Sequence, residues 1–428
     1  MTNIHKISSI NSARRCVTFV LIPFTFAYLL SELVRNVNGV LAPYLQQEFT
    51  LSAFQLGLLT AAFLAALAGS QIFIGVLLDR YGPKRVVATT MGLAAIASTG
   101  FALADGLVQL LTARFFVGLG LCACWTGAYK ANALWWPNER LPLVNAMTIG
   151  LASLGSLVAT WPTEATLQLI PWRWLFAGLS LVIALLVLLI VTLVPRHPKE
   201  ARETETSLSE QVHGALAIAR SRIFWTIAPL SFLTQGVWIA YQGLWAGEWL
   251  REVGGKTDGT AAAILTGLAV GVVAGQMGFG LMADRRARDE KAFFRMTATL
   301  TALFVTTQII LLLHPEGYKG AVWFAFGAFT AGPIFGYALL TRLVPPSVSG
   351  SAIALLNFFA VLCGAIFQGF VGFLVDRVPG GFPGLTGHEI ALWGLVVVQA
   401  GALLWMLVSA SWTRTIVRRE PPSRCSCL

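Results

Sequence analysis

The chain has 428 residues, of which 56% are hydrophobic and only 12% are charged, and its formal net charge is +10. Soluble domains usually carry about 25% charged residues, so this composition excludes an ordinary soluble protein. Apolar runs of about 20 residues recur along the whole chain and predict a polytopic helical membrane protein, because a β-barrel would show alternating segments of about 10 residues. Most positive residues lie in loops, where topology and anionic lipid explain them better than nucleic acid does.

The hydropathy pattern predicts twelve membrane-spanning helices. Their predicted ranges are 17–41, 53–74, 85–104, 107–131, 142–165, 174–194, 223–247, 259–281, 292–313, 320–342, 351–373 and 389–411. A long polar stretch follows the sixth helix and precedes a segment that could lie on the membrane surface. We therefore divide the chain into a six-helix half (1–194), a central loop with an interfacial helix (195–222), a second six-helix half (223–412) and a tail (413–428).

The distribution of Lys and Arg predicts the orientation. With the N-terminus inside, about 22 of the 30 Lys and Arg residues become cytoplasmic and about 5 external, which agrees with the positive-inside rule. Because the number of helices is even, both termini are predicted to be cytoplasmic.

A repeat relates the two halves. Shifting the chain by 205 residues places Gln71 on Gln276, Gly75 on Gly280, Asp79 on Asp284 and Arg80 on Arg285. At a slightly different shift, Gly118 of "FFVGLG" falls on Gly327 of "FAFGAF". The pattern predicts two six-helix repeats that enter the membrane from the same side, as in transporters that rock two halves around a midplane site.

The segment "GVLLDRYGPKR" after the second helix resembles the loop signature of the major facilitator superfamily. The matching positions are Gly75, Leu77, Asp79, Arg80, Gly82 and Lys84, with Pro83 in place of a basic residue and Arg85 following. The second copy keeps Gly280, Asp284 and Arg285 but has Ala287 where glycine is expected. The resemblance implies the twelve-helix fold of that superfamily. It also implies that this loop helps set the balance between inward-facing and outward-facing states.

Polar residues in the first helix form a stripe. Tyr28, Glu32, Arg35, Asn36 and Gly39 recur at spacings that place them on one face, which must turn toward the bundle interior or a water-filled cavity. Glu32 and Arg35 are three residues apart and can pair. This pair is either a structural, self-neutralising one or a proton carrier whose state depends on whether substrate engages Arg35.

The fourth helix contains Arg114 in "RFFVGLG", with Gly118, Leu121 and Trp125 on the same face. This segment resembles the superfamily's fourth-helix signature, in which the arginine is linked to proton transfer. The alternative is a buried structural cation. Lys130 lies on the opposite face, where we expect it to extend to the membrane interface.

Amides and aromatic residues mark the seventh and tenth helices. Gln235, Trp238, Gln242 and Trp245 lie along one side of the seventh helix, and Tyr337 follows Pro333 in the tenth. They suit either a polar organic ligand or ordinary packing. In the superfamily, the first, fourth, seventh and tenth helices line the central cavity, so the resemblance favours binding roles for Gln235, Gln242, Trp125 and Tyr337.

These residues predict a secondary active transporter that works by alternating access. Glu32, Arg35 and Arg114 sum to one positive charge, which favours an anionic ligand. We expect proton-coupled uptake of a small organic anion, with Arg35 and Arg114 holding a carboxylate and Glu32 carrying the proton. The linker "LWWPNERLPLVN" resembles that of the organic-anion symporter branches. We expect a monomer in the bacterial cytoplasmic (inner) membrane.

Three alternatives remain open. The same scaffold suits an efflux permease or a transporter of a metal chelate or siderophore, and it also suits a membrane receptor without flux. An enzyme is not expected, because the five histidines lie outside the predicted helices and form no metal or nucleophile constellation. We accordingly predict no cofactor and no bound metal.

Overall fold

The computed structural model describes residues 17–137, 140–195, 216–286, 290–313, 319–344, 349–378 and 385–417. Within these ranges the chain is almost entirely helical. Twelve segments of 19 to 31 residues are long and apolar enough to cross a membrane. The prediction of an all-helical protein with twelve membrane helices is confirmed.

The first six helices lie in the N-terminal segment, as we call the described residues of 17–195. Their bounds are α1 Val17–Leu21, Ile22–Asn36 and Asn38–Phe49; α2 and α3 together Ala53–Ala102; α4 Leu107–Leu121 and Cys124–Trp135; α5 Leu141–Val158 and Trp161–Leu167; α6 Trp172–Leu193.

The last six helices lie in the C-terminal segment, the described residues of 216–417. Their bounds are α7 Arg222–Ala240, Tyr241–Trp245 and Ala246–Glu252; α8 Asp258–Arg286; α9 Glu290–Leu313; α10 Lys319–Phe329 and Ala331–Leu343; α11 Ser349–Arg377; α12 Gly387–Val417.

The predicted helix ranges 53–74 and 85–104 leave a connection of ten residues between α2 and α3, but the observed connection is much shorter. The chain stays helical from Ala53 to Ala102 except at Gly82, whose φ of 76° lies in the left-handed region. Glycine adopts that conformation without a steric penalty, so a single residue redirects the chain. Pro83 follows at the start of α3, where its missing N–H costs nothing.

Two glycines allow equivalent helices to approach closely in the two segments. Gly118 of α4 lies against the backbone carbonyl of Phe63 in α2, and Gly327 of α10 lies against that of Leu268 in α8. A Cβ atom at either glycine would collide with the facing carbonyl. Phe63 and Leu268 are 205 positions apart, the same shift that relates the two copies of the loop sequence.

At one end of the bundle, the two segments are joined by polar contacts. The Asp376 carboxylate of α11 accepts hydrogen bonds from the backbone N–H groups of Ala53 and Phe54, both at 2.9 Å, and thereby caps α2. Arg251 of α7 donates to the Gly39 carbonyl at 3.0 Å. We call this the Asp376 end and the opposite one, where α2 meets α3, the Asp79 end.

Candidate functional site

Helices α1 and α7 both depart from regular α-helical geometry where they face each other. α1 is interrupted at Val37, and α7 contains a π-helical turn at Tyr241–Trp245. The backbone of Gly39 packs against carbonyl oxygens of that turn. Such turns are rare in helices and are frequent at functional sites.

A small cavity lies beside these two irregular stretches, between the two segments. Its volume is about 10 Å³, roughly the space of one water molecule. Its walls come from α1, α5, α7 and α8. The lining residues are Asn36, Val40, Ser156, Ala159, Thr160, Gln242, Leu265, Leu268 and Ala269. Two of the predicted site residues, Asn36 and Gln242, thus face the same cavity from opposite segments.

Glu32 is the centre of a polar group next to this cavity. The Arg35 guanidinium lies 2.5 Å from the buried Glu32 carboxylate. Ser156 of α5 donates to the same carboxylate oxygen at 3.2 Å, and Asn36 donates to the Ser156 hydroxyl at 3.0 Å. The Arg35 side chain is 30% exposed, so it reaches accessible space and could meet a ligand. Tyr28 lies one turn before Glu32 and is half-buried.

Arg114 occupies a different environment, inside the N-terminal segment. Its side chain is fully buried and donates to the Val34 carbonyl at 3.2 Å and to the Asn38 side-chain oxygen. Asn38 in turn donates to Thr60 at 2.8 Å. The guanidinium also packs within about 6 Å of three aromatic rings. These rings belong to Phe63, Phe101 and Phe176.

The acceptors that the Arg114 side chain contacts in the described part of the chain are a backbone carbonyl and an amide oxygen, and its Nε atom is buried there without a partner. Arg114 holds both sides of the interruption in α1, since Val34 precedes Val37 and Asn38 follows it. Neither Arg114 nor Arg35 is among the residues that line the cavity described above. These contacts do not support the binding of one ligand carboxylate by both guanidinium groups.

The other predicted ligand residues are spread over the bundle. Trp125 is half-buried and packs edge-on against Tyr129, with ring centroids 5.9 Å apart. The Gln235 side-chain oxygen is buried without a partner in the described part of the chain. Tyr337 donates to Asn357 at 3.4 Å. Of the predicted ligand residues outside α1, only Gln242 lines the cavity.

The predicted gating residues lie at the Asp79 end. Asp79 forms an ion pair with Lys130 of α4 at 3.3 Å, so Lys130, expected at the membrane interface, has a carboxylate partner. Lys84 donates to the Val194 carbonyl at the end of α6 at 2.5 Å. These contacts connect the turn to α4 and α6 of the same segment.

The remaining gating positions lie in or next to α2, α3 and α8. Arg80 and Arg85 are exposed. Gly75 lies within α2, and Gly82 lies between α2 and α3. Gly280 lies in α8, as do Asp284 and Arg285, but the side chains of the latter two are outside the described part of the structure. Glu139 of the predicted linker resemblance is likewise outside it.

Several residues that the sequence analysis did not select belong to the site. Ser156 contacts Glu32, and Asn38 contacts Arg114. Gln368 of α11 is fully buried and donates to the Ala240 carbonyl, just before the π turn, at 3.1 Å. Each is a neutral polar residue within a predicted membrane helix. That pattern could have identified them, because polar groups inside a membrane require partners.

Comparison with known proteins adds the family. The family model for the Major Facilitator Superfamily matches residues 24–368, which is most of the chain. The chain belongs to the Major Facilitator Superfamily. The resemblance seen in the loop after α2 is confirmed.

Two relatives in this superfamily are similar over nearly the whole chain. The hexuronate transporter of Bacillus subtilis is 24% identical over 87% of this chain and 92% of its own. The cis,cis-muconate transport protein of Acinetobacter baylyi is 27% identical over 91% and 93%. Both are named as transporters, in agreement with the expectation that this superfamily member is not an enzyme.

A solved structure supports the same fold. It is of a bacterial homolog to the human lysosomal transporter Spinster, in an inward-facing and unoccupied conformation. It superposes with a TM-score of 0.70 at 18% identity, covering 95% of this chain and 99% of the other.

Proposed function

We propose that this protein carries a small organic anion across the bacterial cytoplasmic membrane by alternating access, coupled to protons. The observation that carries the proposal is the Arg35–Glu32 pair. Arg35 is partly exposed, pairs with the Glu32 carboxylate and adjoins Asn36 on the cavity wall. A guanidinium binds carboxylates through two parallel hydrogen bonds, so it suits an organic acid. Hexuronate and cis,cis-muconate, after which the two relatives are named, are both carboxylates.

The same pair supplies a means of coupling. A ligand carboxylate that binds Arg35 competes with Glu32 for the guanidinium. Glu32 is buried, and a buried carboxylate that loses its cation is stabilised by taking up a proton. Ser156, which donates to Glu32, can reverse its hydroxyl and accept from the protonated acid. Anion and proton would therefore bind together.

Alternating access is supported by the equivalent packing of the two segments. Gly118 on Phe63 and Gly327 on Leu268 make the same close approach at equivalent positions, as two structural repeats would. The positive-inside rule assigns the Asp79 end to the cytoplasm and both termini with it. The contacts of Asp376 and Arg251 would then close the external side, and the Asp79 turn would act in the cytoplasmic gate as a monomer rocks.

Arg114 receives a different role in this proposal. Because it bonds Val34 and Asn38 on either side of the α1 interruption, it fixes the position of Arg35 and Asn36 without touching the ligand. This replaces the sequence-based expectation that Arg114 holds the carboxylate.

A thermal-shift screen of the purified protein tests the proposal. A ligand stabilises by RT ln(1 + [L]/Kd), so millimolar probes reveal weak binding. Galacturonate and cis,cis-muconate should raise the melting temperature, whereas neutral sugars and ferric chelates should not. Arg35→Gln should abolish the shift, and Arg220→Gln, at an exposed position outside the cavity lining and the gating turn, should retain it.

Other outcomes would contradict the proposal. Shifts with chelates or sugars that survive Arg35→Gln would show that the charge argument is wrong. Carboxylate binding without flux into proteoliposomes would indicate a receptor, and flux only outward would indicate an efflux permease.

A further inference from the structure

The π turn in α7 is supported by a side chain from another helix. The backbone N–H of Ala246 bonds to the Tyr241 carbonyl, five residues earlier, which widens the helix at this point. The carbonyl of Ala240, just before the turn, accepts a hydrogen bond from Gln368 of α11 at 3.1 Å. The carbonyl that precedes the turn thus has a partner from another helix of the C-terminal segment.

Gly243 leaves room for Gln368 beside the turn. A Cβ atom at Gly243 would lie 3.2 Å from the Gln368 amide nitrogen, closer than a side chain at that position comfortably allows. The same Cβ would lie 3.7 Å from the methyl group of Thr60 in α2. Gly243, Gln368 and Thr60 thus meet where the two segments join.

Gln368 keeps its position despite an unfavourable burial. It is 0% exposed, and its side-chain oxygen has no partner in the described part of the chain. Burying an unpaired acceptor generally costs about 1–3 kcal/mol. A hydrophobic residue would avoid that cost. We therefore infer that the amide has a role besides filling space, which is its hydrogen bond to the Ala240 carbonyl.

The turn also places the one cavity-lining residue of α7. Gln242 is its second residue and faces Asn36 and Ser156 across the cavity. A carboxamide offers both donors and an acceptor and bears no charge, which suits hydroxyl groups. The C-terminal side of the cavity is otherwise apolar, since Leu265, Leu268 and Ala269 complete it.

We propose that Gln368 is a positioning residue that fixes the π turn and so presents Gln242 to the hydroxyl groups of a ligand whose carboxylate is bound by Arg35. This inference rests on the proposed function and extends it. The protein would distinguish hydroxylated carboxylates from those without hydroxyl groups through α7, while Arg35 provides affinity for both.

The test compares Gln368→Met with Gln399→Met in the purified full-length protein. Gln399 of α12 is a matched control, because it is also a 0% exposed glutamine and is paired with Gln308 of α9, outside the cavity lining. Two measurements are made. Hydrogen–deuterium exchange of 240–246 without ligand reports on the turn, and dissociation constants for galacturonate and cis,cis-muconate report on selectivity.

We expect Gln368→Met to accelerate exchange in 240–246 and to weaken galacturonate binding about tenfold, while muconate binding changes by less than about threefold. Gln399→Met should do neither. Unchanged exchange in Gln368→Met, equal changes in both variants, or equal weakening of both probes would overturn the inference. If the wild type binds neither carboxylate, the proposed function and the ligand part of the inference fail, and exchange alone decides whether Gln368 supports the turn.

Discussion

The Arg35 guanidinium lies 2.5 Å from the carboxylate of Glu32, one turn earlier on the same helix. Both residues belong to α1. A ligand can therefore replace Glu32 as the partner of Arg35 without breaking a contact between helices. Ser156, which lines the cavity, donates to the same carboxylate. Ligand occupancy and the protonation of Glu32 can thus be linked at a single point.

Replacing Arg114 by lysine should lower stability rather than change ligand selectivity. An ammonium group cannot reproduce the planar fork that reaches both the Val34 carbonyl and Asn38. We expect a loss of about 1–3 kcal/mol, measured as a lower melting temperature in detergent. Arg80→Lys, at an exposed position, should change stability by less than about 0.5 kcal/mol. Equal stability of the two variants would show that the buried contacts of Arg114 are unimportant.

Removing the Asp376 carboxylate should loosen the end of the bundle that it caps. The two hydrogen bonds to Ala53 and Phe54 are charge-assisted and join the two segments. In a background without the native cysteines, Leu56→Cys should react with a maleimide at least about fivefold faster when Asp376→Ala is added. Asp105→Ala, which removes an exposed carboxylate, is the control. An unchanged rate would mean that the cap does not hold this end closed.

The close approach of helices at two glycines predicts a matched pair of effects. Gly118→Ala and Gly327→Ala each place a methyl group against a facing backbone carbonyl and should cost about 1–3 kcal/mol of stability. Gly92→Ala and Gly267→Ala meet nothing within 4 Å and should be neutral or stabilising by up to about 1 kcal/mol. Similar melting temperatures for all four variants would contradict the packing.

The sequence predicted the spans well because lipid thickness dictates their length and composition. It also predicted the Glu32–Arg35 pair, since residues three apart meet on one face. Local patterns could not give the partners of Arg114, which come from α1, α2, α3 and α6. Nor could they show that Gly82 alone redirects the chain, or that Gln368 supports a π turn in α7, because those features arise from helices packing together.

The most direct test of the account is proton uptake on ligand binding. Muconate is added to the purified protein in weakly buffered solution near neutral pH, and the pH change is recorded for the wild type and for Glu32→Gln. We expect the wild type to take up about one proton per ligand bound and Glu32→Gln to bind ligand with no uptake. Equal uptake by both proteins, or binding by the wild type with none, would contradict the claim that Glu32 couples the proton to the anion.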